Sequence, residues 1–234
     1  MEKFNRLHFV TQAKFPNDTG LSIYREPKYL RDMKKKIAYQ FRIELMEIEP
    51  MIWRVIEVPS SYSFWDLHVA IQDSMGWLDS HLHSFSLLPP RKRKPILIGI
   101  PDEEYENETL PGWEVPLSQF FKEPGDEATY DYDFGDGWRH RVIMEGIFLQ
   151  KEERQYPNCL HGERACPPED CGGVPGYYNL LDILKDKKHE EYEDMNQWLK
   201  EHAKNYYPYD SEKFNPSEIE FWNPNKRWNM AFQN

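Results

Sequence analysis

The chain has 234 residues, with 29 Lys+Arg against 40 Asp+Glu and a formal net charge of -11 at pH 7. That length suffices for one domain with a substantial core plus extensions, and the acidic balance opposes general attraction to a phosphate backbone. No run approaches about 18 consecutive apolar residues and residues 1–20 lack a hydrophobic signal core, so the expectation is a soluble, cytoplasmic protein with no membrane partner.

Residues 1–35 show little periodicity and read as an extension lying on the domain. From Ile37 to Ile48, Tyr39, Phe41, Ile43 and Leu45 alternate with Gln40, Arg42 and Glu44, the period of a half-buried strand. Glu49-Pro50 turns the chain, and Ile52–Val58 returns as a second strand, most simply a hairpin, stopped by Pro59. Ser63 is placed as an N-cap with Asp66 completing a variant capping box. Phe64, Leu67, Ile71 and Met75 then follow at helical spacing, and Gly76 ends the helix. His68 falls beside that apolar stripe as a packed or half-exposed histidine. Further strands are expected at His83–Leu88 and Ile96–Ile100, and a short turn or helix at Val115–Phe121. Lys34 to Lys36 and Arg91 to Lys94 are local basic strips and Asp102–Glu108 an acidic one; each reads as a solvated segment.

The strongest hairpin signal lies between Ala128 and Phe148. Tyr130, Tyr132 and Phe134 alternate with Asp131 and Asp133, Gly135-Asp136-Gly137 is turn chemistry, and Trp138–Phe148 resumes as a strand. A three-residue loop would set Phe134 opposite Trp138, Tyr132 opposite His140, Asp133 opposite Arg139 and Asp131 opposite Arg141. That register is preferred because it pairs more charges. A two-residue Asp136-Gly137 loop would put Asp133 opposite His140 instead.

Cys159, Cys166 and Cys171 follow in a loop dense in Pro and Gly. Three thiols so close suit zinc, with His140 taken as the fourth ligand; His161 lies inside the loop, and His83 would have to arrive from elsewhere. The competing reading is three reduced thiols in a rigid loop. An odd cysteine count disfavours disulfides. A second polar group is possible around His81 and His83, which share one side of an extended chain, with Asp133 and Asp136. After the cysteines, helices are expected at Tyr177–Lys185, with Leu180, Leu181 and Leu184 buried, and at Glu190–Ala203. Asn215-Pro216 begins a short helix through Phe221, and Trp222 and Trp228 fold the tail back on the domain.

Four ordered segments, YQFRIELMEIEPMIWRVIEVP, MGWLDSHLHSF, YDYDFGDGWRH and CLHGERACPPEDCGGVPGY, resemble the plasmid pRiA4b ORF-3-like family over about Lys36–Trp198. Relatives in that family are labelled as insertion-element passenger proteins or resolvases. The resemblance implies a compact α+β domain carried by mobile elements and prokaryotic chromosomes, and it implies no reaction. Resolvase chemistry needs a nucleophilic serine among arginines and a basic DNA-binding module, and neither is legible.

The expected architecture is α+β: a mostly antiparallel sheet with helices packed on one side and C-terminal helices. It divides into an N-terminal extension (1–35), one domain (36–203) and a C-terminal extension (204–234). The absence of GxxxxGK, GxGxxG, GxSxG and HExxH favours a non-catalytic binding or adaptor role with a protein partner, with the cysteine loop as a rigid or zinc-braced feature. A metal-dependent hydrolase built on His81, His83, Asp133, Asp136 and His140 is the second reading. A nucleic-acid-binding accessory protein is the third, and the net charge weighs against it.

Overall fold

Strand-forming alternation dominates the first two thirds of the chain, and the resulting strands join one sheet. The computed structural model describes residues 37–89, 93–101 and 109–232. Lys34 to Lys36, Arg91 and Lys92, and the acidic segment 102–108 lie outside the described residues; Arg93 and Lys94 are exposed. The strands are β1 (Ile37–Leu45), β2 (Ile52–Pro59), β3 (His83–Leu87), β4 (Ile96–Gly99), β5 (Thr109–Pro111), β6 (Glu127–Tyr132), β7 (Trp138–Leu149) and β8 (Asn158–Glu163). They lie in the order β5-β4-β3-β6-β7-β1-β2-β8. Every pairing is antiparallel except β4 with β5.

One sheet face is apolar because alternate side chains of each strand point the same way. Tyr39, Phe41, Ile43 and Leu45 of β1 are buried there with Phe85 of β3 and Tyr130 and Tyr132 of β6. Helix α1 (Phe64–Met75) lays Phe64, Leu67, Ile71 and Met75 on this face. Its start is the expected capping box: the Ser63 hydroxyl accepts from the Asp66 N–H at 3.2 Å, and the Asp66 carboxylate accepts from the Ser63 N–H at 2.8 Å. Gly76, at φ 85°, closes the helix in the left-handed conformation that glycine adopts freely.

Helix α2 (Gly173–Lys185) begins earlier than the periodicity indicated and buries Tyr177, Leu180 and Ile183. Leu181 and Leu184 are only partly buried. Helix α3 (Tyr192–Glu201) adds Leu199 to the core. The short helix expected after Asn215 is a 3-10 turn at Pro216–Glu218, capped by the Asn215 side chain accepting from the Ser217 N–H at 3.1 Å. Helix α4 (Pro224–Phe232) follows it. None of its residues is fully buried, and its apolar side is short, carried by Trp228 and Phe232 one turn apart. Trp228 nonetheless packs edge-on against Trp65 at 5.3 Å and Trp113 at 4.5 Å, bringing the tail back to the body.

The central hairpin forms in a register that neither sequence option gave. Tyr132 pairs with Trp138, Asp131 with Arg139, and Tyr130 with His140, so the loop is Asp133–Gly137. Asp133 itself turns left-handed, at φ 54°, and its side chain accepts from the Gly135 N–H at 3.0 Å, an Asx turn that ends β6 two residues early. A two-residue shift from the preferred register keeps every side chain on its face. The aromatics therefore stay in the core, while Arg139 binds Asp131 at 2.8 Å and Arg141 binds Glu127 at 2.6 Å on the other face.

Arg54 sits inside the core face at 1% exposure with no carboxylate among its hydrogen-bond partners in the described residues. Its guanidinium donates to the carbonyls of Ser74 (2.9 Å), Trp53 (2.7 Å), Glu163 (2.9 Å) and Arg164 (2.8 Å). The Phe214 ring covers it at 3.8 Å. It thereby ties the C-terminal end of α1 to the end of β8, from which the cysteine loop departs.

Candidate metal centre

Three loops meet at one end of the sheet: residues 76–82 after α1, the hairpin loop 133–137, and the segment 164–172 before α2. His81 comes from the first, Asp133 from the second and Asp170 from the third. The His81 Nε2 lies 2.8 Å from one Asp170 carboxylate oxygen and 3.6 Å from an Asp133 oxygen. One donor atom of each residue lies within 4.8 Å of the others, and no other such His/Cys/Asp/Glu group occurs among the described residues. The His202 Nε2, from the end of α3, stands 3.9 Å from the second Asp170 oxygen. Exposure is graded across the set: Asp133 9%, His81 30% and Asp170 56%.

Local chemistry explains the convergence. The Asp133 Oδ1 is engaged by the Gly135 and Asp136 N–H groups, at 3.0 and 3.3 Å, which directs Oδ2 at His81. The Asp136 carboxylate accepts from the Gly172 N–H at 3.1 Å, tying the hairpin loop to the cysteine loop. Gly173, at φ 66°, lets the two backbones touch, since a Cβ there would lie 2.4 Å from the Asp136 carbonyl oxygen. Asp170 is itself left-handed, at φ 60°, a conformation Asp tolerates better than most residues.

Beneath the three donors, Glu169 is almost fully buried and holds two of the loops together. It accepts a short hydrogen bond from the Tyr132 hydroxyl and a 2.8 Å bond from the Leu78 N–H. The Tyr132 hydroxyl in turn accepts from the Ser80 N–H at 3.0 Å, one residue before His81. Burial, then the adjoining Glu169 carboxylate, raise the Tyr132 phenol far above its ordinary range, so it serves as a neutral donor.

Of the residues singled out from sequence, His81 and Asp133 are in the set and Asp136 is its tie. His83 is not: it is buried and stacked on His68, ring centroids 3.4 Å apart at 8°. Burial, then the adjacent His68, hold its pKa well below the ordinary value. His68 is bridged between the Tyr130 hydroxyl and Asp79, each at 2.8 Å. His140 is fully buried; its Nδ1 bonds the Tyr130 carbonyl at 3.2 Å and its Nε2 has no hydrogen-bond partner among the described residues. Cys159 lies in β8, Cys166 is buried and Cys171 precedes α2; the three thiols and His140 do not form one donor set among the described residues. Burial is the leading cause that pushes the thiols up, Cys159 to about 11 and Cys166 and Cys171 to about 12. Without a metal they stay protonated and weakly nucleophilic at neutral pH.

Asp170, Glu169 and His202 escaped the sequence reading. The acidic pair sits in the PPEDC run, where only its position beside the cysteines set it apart, and His202 lies at a helix end with no spacing relation to His81.

These three loops fall within the span that matches a known family. The family described as plasmid pRiA4b ORF-3-like protein matches residues 37–218. The chain belongs to that family. The pRiA4b ORF-3-like match takes in His81, Asp133, Asp170 and His202 and stops before α4. Uncharacterized protein y4hQ of Sinorhizobium fredii (strain NBRC 101917 / NGR234) is 32% identical over 160 residues, covering 68% of this chain and 79% of that protein. The crystal structure of MM3350, a protein of unknown function from Methanosarcina mazei Go1, is similar at 40% identity and a TM-score of 0.69. That similarity covers 79% of this chain and 98% of MM3350. No helix among the described residues is long and apolar enough to cross a membrane.

Proposed function

We propose that this pRiA4b ORF-3-like protein is a divalent-cation-binding domain with His81, Asp133 and Asp170 as protein ligands. The observation that carries the proposal is the convergence of one imidazole and two carboxylates, from three separate loops, within 4.8 Å. An imidazole with two carboxylates suits zinc or manganese better than a thiolate-selective ion. Three protein donors leave coordination positions for water or a ligand, as open metal sites do. Without turnover, such an ion would brace the three loops, consistent with a binding or adaptor role.

A metal-dependent hydrolase is the second reading, and one observation favours it. Asp170 forms part of the wall of a groove of about 320 Å³ between α2 and α3, floored by Leu180, Met195 and Trp198. A substrate seated there would lie beside the three donors, and an ion held by His81, Asp133 and Asp170 would supply Lewis-acid polarisation and an activated water next to the groove.

The test is zinc and manganese titration, by calorimetry, of metal-stripped full-length protein carrying no affinity tag. Wild type should bind one ion per chain, and His81→Gln or Asp133→Asn should weaken binding at least about 10-fold. Unchanged binding in both variants overturns the assignment. If Cys171→Ser alone abolishes binding, the ion belongs to the cysteine loop.

A further inference from the structure

The segment carrying His81 is fixed from two sides. On the inner side, the Trp77 indole donates to the Pro167 carbonyl at 3.0 Å, and the Leu78 and Ser80 N–H groups are held by Glu169 and Tyr132. On the outer side Lys204 donates to the Gly76 carbonyl at the start of the segment, and Arg227 of the C-terminal helix holds the two residues nearest His81. Arg227 of α4 donates to the Leu78 carbonyl at 3.3 Å, pairs with Asp79 at 3.3 Å, and pairs with Asp73 of α1 at 2.8 Å. All three side chains are nearly buried: Arg227 is 12% exposed, Asp73 4% and Asp79 8%. Asp79 turns left-handed at φ 63°, a conformation Asp tolerates, two positions before His81, so its carboxylate and the backbone leading to His81 are held together.

We propose that α4 is a positioning element for the metal centre: Arg227 holds the Leu78–Asp79 segment in place, and docking of the tail and binding of the cation at His81 favour each other. This rests on the cation-binding reading above. With Arg227 gone, Asp73 keeps the Trp222 N–H at 2.8 Å and the nearby Lys204 charge, but the two carboxylates lose the cation they share, and their repulsion acts on the backbone that sets the His81 ring. The Asp79–His68 bond holds the carboxylate from one side only. Displacing a ligand through the residues that orient it weakens a metal by about 10- to 100-fold. Binding linkage is reciprocal, so the cation must tighten tail docking by the same factor. The family match ends at residue 218, so Arg227 lies outside the matched span and His81, Asp133 and Asp170 lie within it.

The experiment uses the full chain. Zinc affinity is measured for wild type, Arg227→Ala and Arg227→Lys, and cobalt(II) absorption reports the coordination geometry at His81. Arg227→Ala should raise the zinc Kd at least about 10-fold and alter the cobalt spectrum, while Arg227→Lys, which keeps the charge, should recover part of the affinity. Hydrogen exchange of residues 224–232 in wild type is measured with and without zinc, and zinc should slow it. Equal zinc affinity in Arg227→Ala and wild type overturns the coupling and leaves the metal centre standing. Unchanged exchange in wild type overturns it as well, and that arm decides the matter if Arg227→Ala does not fold. No zinc or manganese bound to wild type overturns both proposals and is seen without any variant.

Discussion

Replacing Arg54 with Met removes the most heavily bonded charge in the core while keeping an unbranched side chain of similar reach. Four carbonyl oxygens lose a donor. Trp53 and Glu163 lie in paired strands and retain ladder partners nearby, whereas Ser74 at the end of α1 and Arg164 in a loop do not. Each buried carbonyl left unpaired costs roughly 1–3 kcal/mol, so the two without another partner give roughly 2–6 kcal/mol. Met recovers part of that because the guanidinium no longer has to be desolvated, leaving a net loss of about 3–4 kcal/mol. For a chain of this size that lowers the melting temperature by roughly 10 °C. The assay is urea unfolding followed by tryptophan fluorescence, with Arg42→Met as control. Arg42 pairs with Glu44 at 2.6 Å on the polar face, and its loss should cost under about 1 kcal/mol. Arg54→Lys, which keeps the charge but has fewer donors, should fall between wild type and Met. Arg54→Met unfolding within about 1 kcal/mol of wild type would mean that the carbonyl cluster is satisfied without the guanidinium, and the reasoning fails.

The buried His140 makes stability pH-dependent. Burial, the leading cause, lowers its pKa from 6.5 to about 4. Its neutral form is therefore the folded one, and the unfolded chain binds the proton first as pH falls. The contribution is present above pH 6.5 and is lost between pH 6.5 and about 4, to a total of roughly 3 kcal/mol. His140→Gln should flatten that part of the stability profile, and parallel profiles for variant and wild type would refute the cause. The raised thiols predict slow alkylation: at pH 7.5 all three should react far more slowly in the folded chain than in urea, and rapid labelling of Cys166 in the native protein contradicts its burial. Gly176→Ala puts a Cβ 1.9 Å from the Cys171 carbonyl oxygen, so the cysteine loop must move. The expected result is a loss of more than about 2 kcal/mol together with weakened metal binding through Asp170, and a variant with native stability would show that the close approach is not needed.

The scaffold was legible because its signals are local. Alternation in Ile37–Leu45, the Ser63–Asp66 capping box and the Gly76 terminus each involve residues within a few positions, and each forms as read. The hairpin was legible in face but not in register, because the side-chain period of two survives a two-residue slip and only the Asp133 Asx turn selects among loops. The helix carrying Arg227 was not legible as a helix because its apolar side is only Trp228 and Phe232; the return of the tail through Trp228 was legible, but its partners Trp65 and Trp113 are distant in sequence.

The candidate centre follows from that division. His81 and Asp133 could be named as chemistry-bearing residues because each sits beside a readable element. What joins them is Asp170, and its position is set by contacts no local pattern encodes: Glu169 under Tyr132, Asp136 against Gly172, and Arg54 at the start of the loop. A buried carboxylate, a backbone approach open only to glycine and an arginine without a carboxylate partner are costly features that a loop serving only as a connection would not need. The first two act on the residues around His81 and Asp170, and Arg54 holds the end of β8 from which the Asp170 loop departs. The expenditure of stability on fixing those loops is the physical reason to look for the chain's function at their meeting point and not in the strands below.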